Sequence, residues 1–239
     1  MRSIGLIGGM SWESTILYYK IVNTVVRNRL GGLHSARCIL WSFDFDEIVR
    51  LQREGDWQRA TERMIDAAAA LERAGADVAV ICTNTMHKMF DAVSAAIGIP
   101  MIHIADPTAE RIKSAGLSKI GLLATRFTME DDFYVGRLIG RHGLNVLTPP
   151  ATDRAVVHEI IFDELCRGIV RDESRTRLQS MIARMAEDGA EGIILGCTEL
   201  CLLLGQEHSP LPIFDTTVIH AETAAEWALR TEPAPAMPG

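Results

Sequence analysis

The chain has 239 residues, 48% of them hydrophobic, with 24 Lys and Arg against 31 Asp and Glu, a formal net charge of −7. That apolar fraction is enough for the core of one compact unit or two small domains, which excludes a disordered chain. The charge is spread over the helical segments without a basic stripe, which excludes an electrostatic footprint for nucleic acid and leaves a small molecule as the expected partner. Five cysteines, an odd number with two at the ends of apolar strands, fit a reducing compartment better than a disulfide framework. Met1-Arg2-Ser3 leads into an apolar run that stops at Gly8-Gly9, shorter than a signal h-region, and no run approaches a membrane span. A cytoplasmic protein is expected, without a membrane partner.

Apolar runs of strand length alternate with amphipathic segments of helix length, the pattern of an α/β protein with mainly parallel sheets. Strands are expected near 3–8, 37–43, 77–82, 100–104, 119–124, 144–147, 191–196 and 212–214. The segment 56–74 sets Trp57, Ala60, Met64, Ala68 and Leu71 on one helical face, with Gly75 as its C-terminal stop. Its counterpart uses Leu178, Met181 and Met185, then Gly189. Pro100 and Pro212 each open a strand after a Cys-Thr turn, and Asp106 and Asp215 close those strands. This matching places one half at 1–98, completed by a helix at 215–230, and the other at 99–214. The last residues, 231–239, hold three prolines and read as a disordered tail.

One phrase occurs twice. Residues 73–85 read Arg-Ala-Gly-Ala-Asp-Val-Ala-Val-Ile-Cys-Thr-Asn-Thr, and residues 187–199 read Glu-Asp-Gly-Ala-Glu-Gly-Ile-Ile-Leu-Gly-Cys-Thr-Glu. In each, a helix ends at Gly, an acidic residue follows, and an apolar strand stops at Cys-Thr. Cys82 and Cys197 are 115 positions apart, and the matching Ile4-Gly5-Leu6 and Ile120-Gly121-Leu122 are 116 apart. The chain reads as an internal duplication. Two such halves about a pseudo-twofold axis would bring Cys82 and Cys197 to one cleft, far enough apart for a substrate carbon and too far for a disulfide. Opposed thiols suit proton transfer on both faces of that carbon.

Ligands of open parallel sheets gather at the carboxyl ends of the strands. The loops expected there are Gly8-Gly9-Met10-Ser11, Cys82-Thr83-Asn84-Thr85, Ala124-Thr125-Arg126 and Cys197-Thr198-Glu199. Helix N-termini after these loops favour anions and should lower a thiol pKa. Gly8-Gly9 lets the backbone approach a small ligand, with Ser11 or Ser14 as the next helix cap. Arg50 and Gln52 lie where a strand gives way to a helix, within reach of the cleft, although a surface role fits Arg50 equally well. His87 and Lys88 read as solvated or capping residues, and Cys38 and Cys166 as core. Cys201 follows Cys197 by four residues but lacks the partner pair of a zinc site, so no metal is expected. Neither a dinucleotide fingerprint nor a P-loop occurs.

Three segments, Gly8-Gly9-Met10-Ser11-Trp12-Glu13-Ser14-Thr15, Cys82-Thr83-Asn84-Thr85 and Leu195-Gly196-Cys197-Thr198-Glu199-Leu200, resemble the aspartate/glutamate racemase family of cofactor-independent amino-acid racemases. The resemblance covers about residues 1–230. Glutamate racemases of this group typically have His after the second Cys-Thr, so Glu199 points to the aspartate racemase branch. The resemblance implies two Rossmann-like, flavodoxin-like halves and no pyridoxal phosphate or metal. It also implies a homodimer. Cys82 and Cys197 would form the acid/base pair. Asn84, Thr85, Thr125 and Thr198 would hold the substrate's amino and carboxylate groups, with Thr83 and Glu199 also among the substrate-binding residues and the Met10 loop closing over it. Arg50, Lys88 and Arg126 are candidates for a distal carboxylate by loop position. The helix near 160–168 offers Phe162, Cys166 and, as its one cation, Arg167, which favours broad specificity over strict aspartate specificity.

Other readings of the same residues are maleate isomerisation with one Cys as nucleophile, or hydantoin racemisation. Asn84 with Thr85 favours an amino-acid substrate. A non-catalytic amino-acid sensor would not need both thiols, and a thiol redox switch would need them within disulfide range.

Overall fold

The structure, a computed structural model, describes residues 1–230, and the expected tail at 231–239 lies outside the described residues. The chain forms two units, Met1–His103 with the segment from His220 onward, and Ile104–Ile219. In the first, β1 (Ser3–Gly8), α1 (Trp12–Leu30), β2 (Arg37–Ser42), α2 (Phe45–Glu54), α3 (Trp57–Arg73), β3 (Val78–Ile81), α4 (Phe90–Ala95) and β4 (Met101–Ile102) follow in order. The four strands make one sheet in the order β2-β1-β3-β4, with every pair parallel. Alternate residues of a strand face opposite ways, so each face needs its own cover. Ile4, Leu6, Val78, Val80 and Cys82 pack with Tyr18 and Val22 of α1, and with Ala221, Ala224, Ala225 and Ala228 of the last helix. Ile7, Ala79 and Ile81 pack with Ile48 and Leu51 of α2 and with Ala60, Met64, Ala68 and Leu71 of α3.

The second unit contains α5 (Ala105–Ser114), β5 (Lys119–Ala124), α6 (Arg126–Glu130), α7 (Asp132–Gly140), β6 (Asn145–Leu147), α8 (Ala151–Glu159), α9 (Asp172–Glu187), β7 (Gly192–Gly196) and β8 (Ile213–Asp215). The last helix, α10 (Thr216–Leu229), follows. Its sheet runs β6-β5-β7-β8, again all parallel, which is the same order as in the first unit. This is the α/β fold expected, two four-stranded parallel sheets flanked by helices. The expected strand at 100–104 differs most. β4 is two residues long, and Asp106, expected to close it, sits in the first turn of α5.

The duplicated phrase has a structural reason in each unit. Its glycines, Gly75 and Gly189, have φ of 93° and 87° just past α3 and α9, a conformation costly for any residue with a Cβ. Its acidic residues bind the start of the neighbouring strand. The Ser3 N–H donates to Asp77 Oδ2 at 2.6 Å, and the Ser118 and Lys119 N–H groups donate to Glu191 Oε2 at 2.7 and 2.8 Å. Gly5 and Gly121 of the second duplicated phrase let a helix approach the sheet. A Cβ on Gly5 would stand 3.2 Å from Leu71 of α3, and one on Gly121 would stand 2.7 Å from Met185 of α9.

Among the described residues no helix is long and apolar enough to cross a membrane. The second unit is pinned by Asp106, which accepts two bonds from Arg137 of α7, both 2.7 Å, and one from His142 at 2.9 Å. Burial pushes the Asp106 carboxyl up, but the bonds and charges of Arg137 and His142 outweigh it and hold the group below its ordinary value. Asp106→Asn is expected to lower stability by about 1–3 kcal/mol in urea unfolding, because the half-buried Arg137 charge loses its partner. A carboxyl whose folded pKa is depressed stabilises the fold fully above its unfolded pKa. The wild-type advantage over Asp106→Asn should therefore shrink as pH falls below the ordinary Asp range.

Candidate active site

Each of the four expected loops follows a strand's carboxyl end in its own sheet. After β1, Gly9 has φ of 79°, and a Cβ there would lie 2.4 Å from the Phe43 backbone. The Gly9 N–H donates to Thr15 Oγ1 at 2.9 Å, and the same hydroxyl donates to the Ser11 carbonyl at 2.8 Å. Thr15 thus folds the loop back on the start of α1, a role the sequence reading did not assign. Its signal was a hydroxyl one turn into the helix. Ser11 takes the N-cap position without a side-chain capping bond, and the Ser14 hydroxyl bonds the Ser11 carbonyl at 3.2 Å instead of capping. Met10, expected to close over a substrate, is 3% exposed and belongs to the core that includes Ile48, Leu51 and Met86.

At the end of β3, the Cys82 N–H continues the ladder to the Ile7 carbonyl at 2.9 Å. Cys82 is fully buried, and Thr83, Asn84 and Thr85 are buried beside it. A short 3₁₀ helix, Thr85–Met89, follows. His87 corrects the expectation of a solvated residue. It is 2% exposed, its Nδ1–H donates to the Thr83 carbonyl at 2.8 Å, and its ring lies 4.6 Å from that of His103. The apolar wall of Phe90, stacked on His87 at 5.7 Å, explains why the ring turns inward. The sequence signal was the four-residue spacing from Thr83. Gln52 is also buried; its Nε2 lies 3.2 Å from Met86 Sδ, and its Oε1 has no hydrogen-bond partner among the described residues.

In the second unit, Thr125 caps α6 through Thr128 and is 4% exposed. At the end of β7, Cys197 is 7% exposed, and its Sγ–H donates to Glu199 Oε2 at 3.0 Å. The Thr198 hydroxyl donates to the same oxygen, also at 3.0 Å. Cys201 donates to the Thr198 carbonyl at 3.1 Å. The cations considered for a substrate side chain are exposed: Arg50 on α2, Lys88 over the Trp57 ring at 4.4 Å, Arg126 beside Glu130, and Arg167.

The thiols differ from expectation in one physical respect. Burial raises Cys82, with nearby Cys38 adding to the effect, and Cys38 is itself pushed up to about 11. Burial raises Cys197 too, and the Glu199 carboxylate raises it further. The helix field expected to lower them is weak, because each Cys-Thr turn runs into a 3₁₀ turn of five or three residues rather than a long α-helix. Both sulfurs rest as thiols at neutral pH.

Residues 7–224 match the family model for Asp/Glu/hydantoin racemases. The chain belongs to this family. The racemase is 53% identical to a candidate Asp/Glu racemase from Yersinia pestis, whose crystal structure superposes with a TM-score of 0.89 over 96% of this chain and 100% of that one. It is 35% identical to an aspartate racemase homologue from Pyrococcus horikoshii, with a TM-score of 0.82 and the same coverage. Among curated proteins it is 26% identical to a broad specificity amino-acid racemase of Bacillus subtilis, over 70% of this chain and 72% of that protein. It is therefore an isomerase of the amino-acid racemase family.

The Gly9 turn gives a direct test of the racemase's first loop. Gly55, which caps α2 at φ 72° and ψ 16° in the left-handed region, has open space around it, so Gly55→Ala should cost only the left-handed backbone penalty, about 1 kcal/mol. Gly9→Ala should cost distinctly more in urea unfolding, because its Cβ also meets the Phe43 backbone. Equal losses would show that the close approach carries no energy.

Proposed function

We propose that the racemase inverts the α-carbon of a free amino acid by two-base proton transfer, with Cys82 acting on one face and Cys197 on the other. The observation that carries this reading is one placement made twice: a Cys-Thr turn at the carboxyl end of the third strand in chain order of each sheet, buried in both cases. In one direction the Cys82 thiolate forms an S–H bond with the α-proton as the C–H bond breaks. The electron pair left on the carbon then takes the Cys197 proton. The roles exchange in the reverse direction. A single base would mostly return the proton to the face it left.

Raised thiol pKa values suit this task in one sense. An α-proton is a weak acid, and a more basic thiolate takes it with a smaller uphill step, provided substrate binding first ionises the sulfur. Asn84, Thr85, Thr125 and Thr198 are the polar groups assigned to the substrate's carboxylate and amino groups, where preorganised donors stabilise the charge that develops on removing the proton. The unpartnered Gln52 Oε1 suits an ammonium donor, since a buried acceptor without a bond is otherwise costly. The exposed positions of Arg50, Lys88, Arg126 and Arg167 favour a broad range of side chains over a dedicated acidic substrate. The name of the Bacillus relative points the same way. Thiols that must stay reduced favour a reducing compartment such as the cytoplasm.

Cys82→Ala and Cys197→Ala are each expected to lower racemisation by at least about 10²-fold, the scale of a positioned acid/base group. The measurement is loss of the α-proton signal by NMR for each L-amino acid in D2O, together with the change in optical rotation. Full activity in either variant would sink the two-base mechanism. Because thiols supply both protons, dialysis against EDTA should leave the rate unchanged and the purified protein should lack pyridoxal absorbance. Activity lost to the chelator and restored by zinc would overturn that part of the reading.

A further inference from the structure

Three imidazoles lie in the interior of the first unit behind the Cys82 turn, and two-base transfer leaves them without a task. His87, His103 and His220 are all buried. The clusters around them are aliphatic and aromatic, and an imidazole is costly in such a place unless its ring nitrogens are bonded. The start of the turn explains what His87 does there. In the 3₁₀ pattern of Thr85–Met89 the His87 N–H donates to the Asn84 carbonyl, three residues back, at 3.0 Å. The Thr83 carbonyl, which an α-helical bond would have taken, is left to the side chain. It accepts from His87 Nδ1–H at 2.8 Å. Because the Thr83–Asn84 peptide is planar and trans, a hold on its carbonyl also fixes its N–H, which points the opposite way.

The sulfur needs that support. Among the described residues Cys82 Sγ makes one hydrogen bond, a long one of 4.0 Å to the Val80 carbonyl of its own strand. Its direction is therefore set by the backbone on either side, the ladder with β1 before it and the turn held by His87 after it. The His87 ring is itself held. Phe90 stacks on it at 5.7 Å with 9° between the planes, His103 lies 4.6 Å from it and 4.7 Å from Phe90, and His220 stands 5.8 Å away. His220 is anchored in turn, 2.9 Å from the Tyr18 hydroxyl through Nδ1 and 2.9 Å from the Ile102 carbonyl through Nε2. That carbonyl can only accept, so Nε2 carries a hydrogen, and a neutral ring then takes the Tyr18 hydroxyl at Nδ1.

We infer that His87 is a positioning residue for racemisation: its Nδ1–H holds the Thr83 carbonyl and so aims the Cys82 sulfur and the Asn84 amide, with His103, His220 and Tyr18 as the frame that locks the ring. His87 acts through the turn and not on the substrate. The inference rests on the two-thiol reading above, in which Cys82 is one of the bases. Misplacing a reacting group by about 1 Å costs about 10²-fold in rate, so a single bond at this point has a large lever.

The test compares three variants of the full chain. His87→Asn keeps an amide N–H where Nδ1 stands, His87→Gln moves that donor one bond outward, and His87→Phe keeps a ring without the donor. The expected result is a kcat lower by about tenfold or more in His87→Phe and His87→Gln, recovered for the most part in His87→Asn, with KM changed by less than about threefold. A role confined to packing gives another order, with phenylalanine, the closest in shape, the most active. That order, or a raised KM at unchanged kcat, overturns the inference. If His87→Phe does not fold, the two amides decide alone, and equal kcat in both overturns it. A second measurement needs no turnover: iodoacetamide labelling of the folded chain, resolved by peptide mass spectrometry, gives the Cys82 rate relative to Cys38 in the same molecule. A loosened turn should raise that ratio several-fold in His87→Gln and leave it near native in His87→Asn, whereas general loosening of the unit cancels in the ratio. An unchanged ratio in His87→Gln overturns the inference. Full racemisation by Cys82→Ala would remove the two-base mechanism, while the labelling still decides whether His87 holds the turn.

Discussion

The parallel pairing of one buried strand with its neighbour fixes everything at the candidate site. In the first unit β3 pairs with β1 from Ile4 with Val78 to Ile7 with Ile81, and the next amide, Cys82 N–H, still reaches the Ile7 carbonyl. In the second, β7 pairs with β5 up to Gly196 with Ala124, and Cys197 is the next residue. Each sulfur is thus held one residue beyond a strand that pairs with a neighbour on either side. Sliding a strand by one residue would turn its apolar side chains to the opposite face and move the thiol with them.

The helices serve that pairing. A parallel sheet must be covered on both faces, and the helices that precede β3 and β7 come close because the strand beneath each contains a glycine. Those same helices end on glycines with positive φ, and the acidic residue just after binds the amide at the start of the neighbouring strand. Local backbone geometry and the anchoring of the neighbouring strand are therefore set by the same thirteen-residue phrase in each unit, and helix packing by the glycine of the second repeated phrase. Within the second unit the Asp106 cluster adds a polar tie between α5 and α7.

Burial has a further chemical effect. The dry environment that orders the Cys-Thr turns also holds both thiols protonated, so the sulfurs are strong bases only after something removes their protons. Around Cys197 a carboxylate is within hydrogen-bond range. Around Cys82 the nearby polar groups are the Thr83–Thr85 turn and the buried imidazoles behind it, with His87 bonded to the Thr83 carbonyl. The two turns share a backbone position but not a chemistry.

The strand positions, the helix faces and the Cys-Thr turns were legible in the chain, because periodicity, glycine and proline act locally and appear as patterns over a few residues. The duplication was legible for the same reason. Three things were not. That Met10 and His87 point into the core depends on residues distant in sequence, Ile48 and Leu51 for Met10 and His103 for His87. That the thiols are raised rather than lowered depends on how completely they are desolvated and on the shortness of the 3₁₀ turns after them. That Glu199 bonds Cys197 rather than standing open to a ligand depends on a side-chain rotamer set by packing. The sequence by itself determined which residues stand at the carboxyl ends of the strands, since those ends are written locally, in apolar runs that stop at Gly-Gly or at Cys-Thr. Only the tertiary structure decided their surroundings, because burial and electrostatics are sums over everything nearby in space.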